Sequence, residues 1–294
     1  MSNFVLTCGS ICDLSNELLS SLDVKYIPYH FYLDDKEYID DLGKSFSNEE
    51  FYNLLKNGAN PKTSQVTVNE YILFFEKFLS KGKDILHIAF SSGLSGSYNS
   101  AMLAKNMLEK KYPDRKIYIV DSLSASSGCG LLVTLVANKR KEGANILETF
   151  EYAEKIKYHI QHWFFSTDLK FYIKGGRVSK ASGFIGSLLR ICPILEVNKE
   201  GKLIPRDKII SATISIIQTA KKIDTYSDPN IKNNLIYISH SNCLKFAQSL
   251  KNQLVAKYNK EEKDISIFNI GPTIGSHTGP GTVALFFVGK EREI

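Results

Sequence analysis

The chain has no run of about 18 apolar residues, so no membrane-spanning helix is expected. Its start, Met1-Ser2-Asn3-Phe4-Val5-Leu6, lacks a basic stretch and an apolar core of signal-peptide length, so a cytoplasmic location is expected. Cysteine is scarce and scattered: Cys8, Cys12, Cys129, Cys192 and Cys243 are five in 294 residues. That odd set excludes a disulfide framework and suits a reducing compartment. No Cys, His and carboxylate set with metal-ligand spacing accompanies His159 and His162, so no metal is expected. Glycine and proline, 19 and 8, are too few for a collagen or a linker. Nucleotide motifs are missing too: there is no GxxxxGK[ST] and no GxGxxG between strand and helix. Nor is there a GxSxG nucleophile elbow. Neither sign of charge dominates, with 37 Lys and Arg against 31 Asp and Glu, and nucleic acid is not an expected partner.

What is present is an ordinary globular composition, 43% hydrophobic and 23% charged, long enough for two domains. Up to residue 145 short β-rich runs alternate with helical patterns. Strands are predicted at Phe4–Thr7, Asp84–Phe90 and Lys116–Val120, with helices over Leu14–Leu22, Ser97–Lys111 and Gly130–Lys141. Ser47-x-x-Glu50 and Thr67-x-x-Glu70 read as capping boxes for two further helices, and Phe31–Ile39 as a hairpin. The rhythm predicts a parallel sheet with crossover helices. Beyond 145 the pattern predicts an α+β region with a mixed sheet. It includes a helix over Ile146–Ile160, a helix over Phe184–Ile191, a hairpin from Ile194–Val197 and Lys202–Arg206, and a closing strand at Thr282–Val288. The fold class is thus α/β, divided as residues 1–164 and 165–294.

Ligands of open α/β sheets bind beyond the carboxyl ends of strands. Three strand ends carry small polar residues: Thr7-Cys8-Gly9-Ser10, Ser91 to Ser97, and Asp121-Ser122. The Ser91–Ser97 loop offers hydroxyls and free N–H groups at a helix start, which suits an anion or an ordinary N-cap. Pro61 to Gln65 reads as a polar loop. Gly271 to Gly281 packs four Gly and two Pro around His277, which reads as a tight, shaped loop able to hold that imidazole in one orientation.

Taken in order, Thr7–Leu14, Thr63-Ser64-Gln65, Ser91–Ser97, Asp121-Ser122, Lys174–Ser179 and Gly271–Gly281 resemble the DegV family. These are the fatty-acid-binding proteins that include the FakB subunits of bacterial fatty acid kinase. The resemblance spans nearly the whole chain, with departures: Cys8 replaces the usual Asp, Gly9 intervenes before Ser10, Val66 replaces Pro, and Ser97 replaces Thr. It implies a two-domain DegV-like fold with a long-chain fatty acid held between the domains and no cofactor. It implies no catalytic residue, but a carboxylate held by Thr63 and Ser95 with Ser64, Ser92, Gly96 and His277 around it. It further implies a separate ATP-dependent kinase subunit that phosphorylates the bound acid to an acyl phosphate. A buried carboxylate needs several donors or it protonates. A sixteen-carbon chain adds on the order of 10 kcal/mol before ordering costs. The apolar stretch Phe184–Leu195 is expected in the tunnel wall. The alternative expectation is a serine hydrolase of acyl substrates, with Ser95 as nucleophile and His277 as base.

Charge is unevenly spread. Residues 169–210 hold nine basic against three acidic side chains, while the rest of the chain is balanced. Lys174, Arg177, Lys202 and Arg206 are the expected docking residues for an acidic partner subunit, and the same patch would serve a transient membrane contact.

Overall fold

The computed structural model describes residues 4–178, 191–230 and 235–293. The first region runs β1 (Phe4–Gly9), α1 (Asn16–Ser21), β2 (Val24–Ile27), β3 (Tyr29–Leu33), β4 (Lys36–Asp40), α2 (Asn48–Lys56) and β5 (Pro61–Ser64). It continues through α3 (Val68–Leu79), β6 (Asp84–Ala89), α4 (Ser97–Lys111), β7 (Ile117–Asp121), α5 (Ser126–Lys141) and α6 (Ile146–Ile156). The remainder comprises β8 (Ile160–Ser166), α7 (Lys170–Lys174), β9 (Ile194–Val197), β10 (Leu203–Asp207), α8 (Ala212–Tyr226) and β11 (Ile236–His240). It closes with α9 (Leu244–Tyr258), β12 (Ile265–Asn269), α10 (Pro272–Thr278) and β13 (Thr282–Val288).

The described residues form three sheets. Order β2-β1-β6-β7 is parallel throughout, and order β4-β3-β5 is a small antiparallel sheet. Order β10-β9-β8-β13-β11-β12 is mixed, parallel only between β11 and β12. The expected α/β class, with a parallel sheet followed by a mixed one, is therefore what forms. Thr67 makes the full reciprocal capping box with Glu70, whereas Ser47 supplies only the accepting half, from the Glu50 N–H.

Helix α5 joins the two large sheets. One core unites Leu6, Ile88 and Val120 of the parallel sheet, Leu131 and Leu132 of α5, and Phe164, Tyr237 and Phe286 of the mixed sheet. Each such side chain contributes roughly 1.5–3 kcal/mol of burial. The contact is close because Gly130 lacks a side chain: a Cβ there would stand 2.6 Å from the Cys12 carbonyl oxygen. Arg292 ties the end of the chain inward, donating to the carbonyl oxygens of Leu123, Val197, Asn198 and Lys157.

Some expectations shift. The helix predicted to Ile160 ends at Ile156, and Ile160 already pairs with Val288. A division at 164/165 would cut β8, so we propose that the domain boundary lies just before Ile160. Pro61–Ser64 is a strand rather than a loop, because it pairs with β3. Pro272–Thr278 is a helix inside the predicted loop. The expected helix Phe184–Ile191, and the tunnel wall built on it, fall from 184 to 190 outside the described residues.

Candidate functional site

A cavity of about 310 Å³ lies where the three sheets meet, in the size range of small-molecule sites. Its polar wall holds Thr63, Ser64, Gln65, Ser95, Gly96, Arg177 and His277. Its apolar wall holds Ile11, Phe90, Leu94, Phe164, Ala284 and Phe286.

Two elements set the polar wall. Pairing of β5 with β3 puts Thr63 opposite Phe31 and Ser64 opposite His30. Gln65 then packs on the start of α4, where a Cβ at Gly96 would fall 2.0 Å from its Oε1. Gln65 Nε2 donates to Ser100 Oγ (3.1 Å), and the Val66 N–H donates to Ser97 Oγ (3.2 Å). Ser95 Oγ accepts from the Ser97 N–H at 3.2 Å and lies 3.1 Å from Ser97 Oγ. The Thr-Ser-Gln run and the serine loop are thus one hydrogen-bonded unit.

Helix α10 brings His277 to this unit. Thr63 Oγ1 and His277 Nε2 are 2.7 Å apart. The ring also abuts Gly175, where a Cβ would come within 2.4 Å of Nδ1. Burial, with help from the nearby Arg177 charge, pushes the His277 pKa down to about 4, so the ring is neutral at physiological pH. Helix α10 is anchored by buried groups. The Gly271 N–H donates to Asp13 Oδ1 (3.0 Å), the Thr273 N–H donates to Asp40 Oδ2 (3.1 Å), and the Tyr52 hydroxyl donates to the Ile270 carbonyl oxygen (2.9 Å). Carboxylates satisfy the otherwise unpaired N–H groups of a helix start. Burial nonetheless raises the pKa of both Asp13 and Asp40, and for Asp13 the hydrogen bond from Ser126 opposes this while Asp40 reinforces it. Asp13 and Ser126 both have positive φ, 50° and 52°, and the Ser126 hydroxyl donates to Asp13 Oδ2. That mutual bond holds two uncommon backbone conformations beside the cavity.

Among the expected carboxylate residues, the fold gathers Thr63, Ser64, Ser95, Gly96 and His277 around one space. Ser92 is exposed and is not part of the cavity lining, and its N–H donates to Asp121 Oδ1 at 3.1 Å. The hydrolase pairing is corrected. His277 bonds Thr63, Ser95 bonds Ser97, and a base with so low a pKa is weak at neutral pH. Cys8 is a neutral thiol in the core, 3.8 Å from Cys12 Sγ, so no charge stands there. Arg177, expected on the docking face, also lines the cavity. Arg206 donates to Glu196, Lys202 Nζ lies 2.7 Å from Glu200 Oε2, and Lys174 donates to Asn60 Oδ1. The hairpin tip meets the serine loop, with Ser91 Oγ donating to the Gly201 carbonyl oxygen at 2.8 Å. Among the described residues no three His, Cys, Asp or Glu side chains converge on a metal-sized space, and no helix is long and apolar enough to cross a membrane.

The anchors Asp13, Asp40 and Tyr52 and the cavity-lining His162 were missed from sequence. A signal for α10 was present, Pro272 at its first position and Gly279 just past its end.

The cavity thus lies between α/β layers, with a hydroxyl-rich wall at one end and a mainly apolar lining elsewhere that also carries His162 and Ser126. The family model described as an uncharacterised protein, DegV family, matches residues 4–290, and the chain belongs to that family. A DegV domain-containing protein of Clostridium perfringens is 38% identical over 294 residues, covering 100% of both chains. The crystal structure of a DegV lipid binding protein from Thermotoga maritima shares 27% identity with a TM-score of 0.83, covering 100% of each chain. That of a fatty acid binding DegV family protein from Streptococcus agalactiae shares 25% identity with a TM-score of 0.85, covering 99% of this chain and 100% of its own.

Proposed function

We propose that this protein binds a long-chain fatty acid in the cavity and presents it, without catalysing a reaction itself, to a separate ATP-dependent kinase subunit in the cytoplasm. The observation that carries the reading is the Thr63–His277 pair on the hydroxyl wall of a mainly apolar cavity. A neutral His277 protonated on Nε2 donates to Thr63 Oγ1, which frees the Thr63 hydrogen for a carboxylate oxygen. Ser64, Ser95 and Gly96 line the same part of the cavity, and the exposed Arg177 supplies a fixed positive charge at its edge. Five such partners keep a carboxylate ionised away from water. The lipid-binding and fatty-acid-binding relatives support the same ligand class.

The docking reading rests on charge. Arg177 donates to the Leu94 carbonyl oxygen at 3.4 Å, and the tip carrying Lys202 meets the same loop. Lys174, Arg177, Lys202 and Arg206 then form a basic rim for an acidic kinase surface, with transient membrane contact through the same side chains. Arg206→Ala and Lys202→Glu are expected to slow acyl phosphate formation while leaving fatty-acid affinity intact, and wild-type rates in both variants at low and high salt would rule out this rim.

Native mass spectrometry of the purified chain tests the ligand. The expected result is a mass excess equal to a long-chain fatty acid that disappears on denaturation. A bare chain that also takes up neither palmitate nor oleate would overturn the reading.

A further inference from the structure

Four residues lining the cavity carry a buried side-chain polar atom with no hydrogen-bond partner among the described residues: Tyr29 on β3, Thr273 and His277 on α10 beside the head region, and His162 on the mixed sheet. His162 lines the cavity from β8 and is buried. Its Nδ1 lies 2.8 Å from the Ile160 carbonyl oxygen. A carbonyl can only accept, so Nδ1 holds the ring proton. Burial, then the charge of Arg292, keeps the ring neutral at physiological pH. Nε2 is therefore a bare acceptor, and it has no hydrogen-bond partner among the described residues. An unpaired buried acceptor is costly, and of these four residues His162 is the one on the mixed sheet, away from the head region. The Ser126 hydroxyl, also on the wall, is committed to Asp13 and Ser239.

The register locates His162 along the cavity. Thr282 pairs with Ser166 and Phe286 with His162. Thr282, Ala284 and Phe286 all line the cavity, as alternation along a strand requires. Four residues at about 3.3 Å each put His162 roughly 13 Å beyond the Thr282 end. That end adjoins the head region, since Thr282 Oγ1 is 2.9 Å from the hydroxyl of Tyr172 in α7, which packs on α10. An alkyl chain that starts at Thr63 and follows these strands reaches His162 near its middle carbons.

We propose that the cavity selects a long-chain fatty acid bearing a mid-chain hydroxyl, whose O–H donates to His162 Nε2. This rests on the fatty-acid reading above and adds the substituent. A plain saturated or unsaturated chain leaves Nε2 unpaired, and a keto group sets a second acceptor against it. Gly128 makes room for the imidazole, since a Cβ there would lie 2.3 Å from Nε2.

The test uses the delipidated full chain and displacement of a fluorescent fatty acid by stearate, a positional series of hydroxystearates, and ketostearates substituted at the same carbons. At least one mid-chain hydroxystearate is expected to bind roughly 5- to 100-fold tighter than stearate. Its keto counterpart is expected to show no gain. In His162→Phe, which keeps a ring and removes the acceptor, the hydroxystearate-to-stearate ratio is expected to fall to about one. If stearate binds but no hydroxystearate exceeds it, or the ketostearate gains equally, the inference is overturned and the fatty-acid reading stands. If no acid in the series binds, that reading falls as well. The wild-type series decides even if the variant does not fold.

Discussion

Thr63 and His277, 214 residues apart in sequence, meet at 2.7 Å on the hydroxyl wall of the cavity. The contact joins a strand of the small antiparallel sheet to a helix of about two turns that precedes β13 of the mixed sheet. Anything that displaces α10 therefore alters the head of the proposed ligand site.

Thr63→Val and Ser95→Ala each remove a donor to the proposed carboxylate while keeping side-chain bulk or burial. A hydrogen bond to a charged group is worth about 1.5–3 kcal/mol, or roughly a 10- to 150-fold loss of affinity for each variant. Fluorescent fatty-acid displacement measures it, and unchanged urea midpoints check that the fold is intact. Wild-type affinity in both variants would move the carboxylate elsewhere.

Gly175→Ala separates space from backbone freedom. The φ of Gly175 is −71°, which alanine adopts readily, yet the new Cβ would approach His277 Nδ1 to 2.4 Å. The ring has to shift, so fatty-acid affinity is expected to fall about tenfold or more with less than about 1 kcal/mol change in stability. Equal affinity would show that His277 position is unimportant.

His277 makes stability depend on pH. Its pKa falls from an ordinary 6.5 to about 4 in the fold, chiefly by burial. The unfolded chain then binds the proton first, so this group's contribution is present above about pH 6.5 and is lost as pH falls toward 4. The loss is up to about 3 kcal/mol. His277→Asn is expected to flatten that part of the curve in urea unfolding from pH 7 to 4.5. A variant curve parallel to wild type would contradict the assignment.

Asp40 acts in the opposite direction. Burial raises its pKa in the fold, so the folded chain holds the proton more tightly than the unfolded one. Its contribution is full below about pH 4 and is lost as pH rises through the raised value. Asp40→Asn keeps the oxygen that accepts the Thr273 N–H and removes the charge. Relative to Asp40→Asn, wild type is expected to gain stability as pH is lowered from 7 to 5, read as converging urea midpoints. Midpoints that diverge on acidification would overturn this sign.

Much of the fold is legible in the sequence because its signals are local. Ser97–Lys111 and Thr282–Val288 form the predicted elements, and the Thr67-x-x-Glu70 spacing makes a true capping box. The site is less legible because it depends on distant contacts. Thr63 looks like a loop residue until β3 pairs with it, and Pro61 is tolerated there because β5 is an edge strand. In α10, Gly275 and a run of Thr and Ser mask the helix. Gly275 is needed because a Cβ would stand 2.6 Å from the Tyr52 hydroxyl. Asp13 and Asp40 are unremarkable in sequence, and only the fold shows them bonded to α10.

A crystal structure of the delipidated chain with oleate tests the central claim most directly. The account predicts carboxylate oxygens within hydrogen-bond reach of Thr63 Oγ1 and beside Ser95, with the alkyl chain running between Phe164 and Phe286 toward His162. A carboxylate bound at the far end of the cavity, or oleate found only outside it, would contradict the account.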